Sequence, residues 1–160
     1  MAGRTPTSEG ELLVRALDQA FNRRSWHGPN LRGSIRGVTA RQAAWRPAAG
    51  RHSIAEQVLH AAYWKYVVRR KLTGEKRGSF ALPGSNWFVV ADGLNKAEWK
   101  RMVAILEAEH ARLRDAVAAW AARELSGKSR EFDLILGVAA HDVYHAGQIS
   151  LLKRLGVSAN

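Results

Sequence analysis

His141 and His145 stand four residues apart in the last strongly apolar segment of the chain, Glu131 to Leu155. A helix turns about 100° per residue, so positions i and i+4 share a face. Two imidazoles one turn apart can grip a single metal ion, as helical His-x-x-x-His pairs do in zinc enzymes. His60, in a second helical segment from Ser53 to Leu72, is positioned to add a third nitrogen. Three histidines with an open coordination position make a reactive centre, whereas four protein ligands make a structural one.

The face carrying His141 and His145 also carries Leu134, Val138, Gln148 and Leu152, so it points inward. One inward histidine is ordinarily a hydrogen-bonded core residue. Two, one turn apart, each require a partner or cost about 1–3 kcal/mol. A shared cation satisfies both. For His60 the test is length. If its helix and the last one are antiparallel neighbours, His60 and His145 differ in height by only about 5 Å at 1.5 Å per residue. Spacing alone leaves His60 open between ligand and ordinary core residue.

The surrounding residues divide by position. Gln148, one turn beyond His145, can bond a bound water or substrate. Gly147 would admit a neighbouring helix. Glu56 suits a helix cap better than a ligand. Asp142 and Tyr144 fall on other faces, with Asp142 read as an exposed salt-bridge partner rather than a support for histidine. His27 follows the first helix, in Ser-Trp-His-Gly-Pro-Asn. An up-then-down helix pair would bring it near His60 as a substrate contact or acid/base; the plainer reading is a loop histidine. His110 reads as a satisfied core or rim residue and His52 as exposed.

Four long helices must position these groups. The first spans about Ser8 to Arg23, with Ser8 and Glu11 as a capping box. The second starts at Ser53, boxed by Glu56, and stops near Gly74. The third begins near Asn95 with Glu98, along a stripe of Trp99, Met102, Leu106, His110, Leu113, Val117 and Trp120. The fourth runs from about Arg130 to Leu155, with Gly156 as its C′ residue. Ser25 to Gly50 should hold short helical turns, one near Thr39 with Gln42. Thr73 to Leu94, with Phe80, Ala81, Leu82, Trp87, Phe88 and Val89, is long for a plain loop. It can cross the bundle so that helices two and three run parallel, or it can cover a pocket.

Composition narrows the classes. At 160 residues, with six Trp and four Pro, residues 1–160 read as one all-α domain, a four-helix bundle. The absence of Cys excludes disulfides, thiolate ligands and a Cys nucleophile. No uninterrupted apolar run reaches spanning length, and Met1 to Gly10 is polar rather than signal-like, so a cytoplasmic location is expected. The net charge of +11 is dispersed in short pairs such as Arg23/Arg24, Lys76/Arg77 and Lys153/Arg154, which makes nucleic-acid binding the lesser reading.

Three segments, Trp26 to Leu31, Ser53 to His60 and His141 to Ile149, resemble the DinB-like (YfiT-like) superfamily in order and spacing. That resemblance implies a four-helix bundle with a long second-to-third connection, often dimeric. It also implies a divalent ion, zinc, nickel or similar, held by His60, His141 and His145. Characterised members include S-transferases that use low-molecular-weight thiols and a thiol-dependent isomerase. The resulting expectation is a metal-dependent homodimeric enzyme acting on a small molecule by activating a thiol or water. Its metal ligands would be His60, His141 and His145, and its catalytic candidates His27 and Gln148. Arg24, Arg32 and Arg36 would clamp carboxylates. The alternatives are a metal-stabilised bundle without catalysis and a nucleic-acid-binding domain.

Overall fold

The structure, a computed structural model, describes residues 8–123 and 129–157. Among them are six helices and no strand: α1 (Glu9–Phe21), α2 (Leu31–Ser34), α3 (Ala40–Ala44), α4 (Ile54–Thr73), α5 (Lys96–Ala121) and α6 (Arg130–Val157). None is long and apolar enough to cross a membrane. The stretch Met1 to Gly10 is described only from Ser8.

Helix starts follow local chemistry. Ser8, Thr39, Ser53 and Asn95 each accept a hydrogen bond from the N–H three residues on, and Glu11, Gln42, Glu56 and Glu98 bond back. These boxes satisfy donors that no helical turn can reach. Gly74 ends α4 in the left-handed conformation at φ 75°. Gly156, expected to stop the last helix, instead lies within α6. There a Cβ would stand 3.2 Å from the Trp45 ring, so glycine serves close packing rather than termination.

The four long helices form an up-down-down-up bundle. Asp18 pairs with Arg114 and Gly10 abuts Ala121, so α1 and α5 are antiparallel. Arg69 of α4 meets Glu109 of α5, and Ile54 and Val58 share a cluster with Trp99 and Leu106, so α4 and α5 are parallel. His60 meets His141 and Gln57 meets His145, so α4 and α6 are antiparallel. The crossover between α4 and α5 contains neither helix nor strand, and it makes the parallel pair possible. Phe88, Val90 and Leu94 bury in the core while Val89 stays exposed.

Two apolar clusters fill the bundle, and a polar belt divides them in every long helix that crosses it. In α4, Ile54, Ala55, Val58, Leu59, Ala61 and Ala62 belong to one cluster and Val68 to the other, with Lys65 between. In α5, Glu109 and His110 separate Leu106 from Leu113. In α6, His141, Asp142 and His145 separate Ala139 from Ala146. Asp142 corrects the reading of an exposed partner: it and Lys65 are both 0% exposed and form an ion pair inside the bundle. Position i+1 turns Asp142 away from the histidine face, but α6 packs on α1, α2 and α4. Its buried arc is therefore wider than one stripe.

His110 also departs from expectation. It is 4% exposed, stacks on Phe21 at 3.7 Å, and neither ring nitrogen has a partner. Burial, with lesser repulsion from Lys65 and Arg114, lowers its pKa from 6.5 to about 3. The folded value lies below the unfolded one. The neutral ring therefore costs no protonation energy above pH 6.5, and stability drains as pH falls toward 3, by about 1.4 kcal/mol per unit. His110→Leu should raise stability at pH 5 by roughly 2 kcal/mol more than it does at pH 7. Urea unfolding at the two pH values measures this; equal changes would place the ring in a bonded environment.

Candidate metal centre

Antiparallel packing of α4 on α6 brings His60, His141 and His145 together. Their ligand atoms all lie within 4.8 Å of one another. His141 Nε2 is 3.1 Å from both His60 Nε2 and His145 Nε2. Three nitrogens on a tetrahedral zinc at 2.0–2.1 Å stand roughly 3.3 Å apart. Two of the three separations are thus those of ligands around one small cation, and the third is at most 4.8 Å.

The outer nitrogens fix the rings. His60 Nδ1–H donates to the backbone oxygen of Asn86 at 2.9 Å, and His145 Nδ1–H donates to Gln57 Oε1 at 3.1 Å. Both bonds leave Nε2 as the lone-pair nitrogen, which is the tautomer a metal requires. His141 Nδ1 is buried without a partner. Burial lowers all three pKa values. His141 falls to about 4, with repulsion from His60 and Lys65 adding to burial. His145 falls to about 3, with His141 and His60 adding. His141 can offer at most one Nε2–H to the two Nε2 lone pairs that face it, so a hydrogen bond satisfies one neighbour where a cation satisfies all three nitrogens.

Gln57 lies three residues before His60 and shares its face, a signal visible in the sequence but unused there. Gln57→Met should weaken metal affinity by about 10–100-fold, the usual cost of losing such an outer hydrogen bond. Titration against a chromophoric chelator reads the change, and unaltered affinity would show that Gln57 does not orient His145.

The crossover reaches the centre directly. Trp87 lies between His52 and His60, stacked at 3.5 and 3.8 Å. Asn86 holds φ 62°, and its Oδ1 accepts from Trp64 Nε1 at 3.0 Å. No periodicity marks these residues, because the crossover has none. His52 is exposed as expected, yet its ring is held by Trp87. Glu56 acts as the cap it was read to be. Burial raises its pKa, but bonds from Arg46, Ser53 and Val90 outweigh burial and hold it ionised.

A cavity of about 560 Å³ opens on the three histidines. Gln148 and Tyr144 line one wall, with Gln148 Nε2 donating to Tyr144 Oη at 3.0 Å. Arg51 and His52 line another. The structure does not bring His27 here. It is exposed on the turn after α1, and α1 lies diagonally across the bundle from α4 rather than beside it. Arg24, Arg32 and Arg36 are not at this cavity either: Arg24 lines a groove with α1, Arg32 pairs with Glu107, and the Arg36 carbonyl accepts from Lys153. A Cβ at Gly147 would meet nothing within 4 Å, so this glycine admits no helix.

Fold and site together define an all-α bundle with a three-histidine centre suited to a metal ion. A family model, that of the DinB superfamily, matches residues 23–149, and the chain belongs to that superfamily. No curated protein and no solved structure matches the chain.

Proposed function

We propose that this protein is a metal-dependent enzyme that activates a low-molecular-weight thiol or a water for attack on a small-molecule substrate. The observation that carries this reading is the open cavity on a ligand set with no carboxylate. Held by His60, His141 and His145, a divalent ion would keep its full charge and acidify a thiol or water.

The chain's own residues would do the rest. Gln57 and the Asn86 carbonyl keep two rings aimed. Gln148 and Tyr144 offer donors and acceptors to a substrate, with Gln148 the candidate catalytic contact. Arg51 supplies a positive wall for an anionic group. His52, stacked on Trp87 and half-exposed, offers a further ring nitrogen to a molecule in the cavity. With no Cys in the chain, sulfur would arrive on a substrate. Zinc, nickel or a similar ion suits three imidazoles. A cytoplasmic homodimer completes the proposal; the exposed Tyr144, Leu151 and Leu155 along α6 favour pairing.

The test is a conjugation assay of small thiols with electrophiles, beside ester and amide hydrolysis, on metal-loaded protein. Activity should vanish on chelation and fall at least tenfold in Gln148→Ala. Turnover that survives chelation would overturn the proposal.

A further inference from the structure

A second cavity, about 450 Å³, lies between α4 and the crossover and shares no lining residue with the first. One part of its wall is aromatic: Tyr63, Trp64, Tyr66 and Phe80. Phe80 stands 5.4 Å from Tyr63 and 5.5 Å from Tyr66, ring to ring. The other part is basic: Arg70, Lys71 and Arg77. No carboxylate lines it.

Those cations are short of partners. The side chains of Lys71 and Arg77 form no ion pair or hydrogen bond among the described residues. Arg70 Nη1 donates to the Glu75 carbonyl at 3.3 Å, while its Nε is buried and unpartnered. Glu75, beside Arg70, and Glu109 are engaged by Arg69, and Asp133 lines a separate hollow with Lys71 without forming an ion pair with it. Arg70 and Lys71 have a local reason to exist, since cations in the last turn complement the α4 dipole. Arg77 has none. It lies beyond the helix and is fixed there because the next residue, Gly78, donates its N–H to Tyr66 Oη at 3.0 Å. Three like charges meet at one solvent-open hollow with no carboxylate in its wall, a positive field that favours an anion.

We infer that this cavity binds a small aromatic anion, a planar ring bearing a carboxylate or phosphate. The ring would lie against Tyr63, Tyr66 and Phe80. The anionic group would accept from Arg70 and Arg77, with Lys71 as a further cation. The site stands independently of the metal centre.

Calorimetric titration of the full-length protein with phenyl phosphate and with benzoate tests this. Saturable one-to-one binding of at least one is expected, and the pair separates a phosphate from a carboxylate preference. Arg70→Gln/Arg77→Gln should weaken that binding at least tenfold, and Phe80→Leu should weaken it several-fold. Arg23→Gln/Arg24→Gln, an equal loss of charge elsewhere, should leave it unchanged. The inference is overturned if neither anion saturates, or if binding is undiminished in both the double variant and Phe80→Leu. It is also overturned if benzyl alcohol or inorganic phosphate alone binds as tightly.

Discussion

Asp142→Ala should lower the unfolding free energy by about 3–5 kcal/mol, the usual cost of stranding one charge of a buried pair. Lys65 and Asp142 are both 0% exposed, and Asp142 Oδ1 has no bond beyond the pair. Burial raises the Asp142 pKa from 3.8 to about 6 against the pull of Lys65, and it lowers that of Lys65 against the pull of Asp142. Each charge therefore survives in the interior only because of the other. A carboxyl raised above its unfolded value stabilises the fold at low pH, and that contribution is lost as pH rises from 3.8 to about 6. The direction is opposite to that of His110. Lys65→Met/Asp142→Leu should consequently be neutral or more stable by about 1–4 kcal/mol. Urea unfolding of the two variants separates the effects. A loss below about 1 kcal/mol in Asp142→Ala would mean that water reaches the pair.

His141→Ala should abolish stoichiometric metal binding. His141 is the ring that stands 3.1 Å from both others, so its removal leaves two nitrogens from different helices and no centre between them. Loss of a direct ligand should exceed the 10–100-fold effect of an outer hydrogen bond, so an affinity loss of at least about 100-fold is expected. Stability gives a second readout. At a free metal concentration 100 times Kd, the wild-type protein should gain about 2.7 kcal/mol, and His141→Ala at the same concentration less than about 0.5. Metal analysis after dialysis and thermal unfolding with and without ion measure both. One tightly held ion per variant chain would show that these rings do not form the centre.

Much of the fold could be read from short-range chemistry. Each capping box joins residues three apart, so Ser8/Glu11, Thr39/Gln42, Ser53/Glu56 and Asn95/Glu98 mark helix starts without knowledge of packing. His141 and His145 were legible for the same reason. His60 needed two helices to be antiparallel neighbours, and they are. What failed to show depends on which helices touch. His27 was tied to His60 through an assumed α1–α4 pairing, but α1 packs on α5 and α6. Asp142 looked exposed because one apolar stripe suggested one buried face, whereas α6 is covered on several sides. Asn86 and Trp87 act from a connection without periodicity, and Gly156 answers to Trp45, more than a hundred residues earlier.

The polar belt has a consequence for how an ion would arrive. Sliding α6 past α4 by one turn, about 5.4 Å, would strand both Lys65 and Asp142. Their pairing spans 77 residues of sequence and pins the alignment of the same two helices that carry the three imidazoles. The centre is therefore preassembled. Unlike a zinc finger, which folds around its ion, the stripped protein should keep its helical circular dichroism and reload without a folding phase.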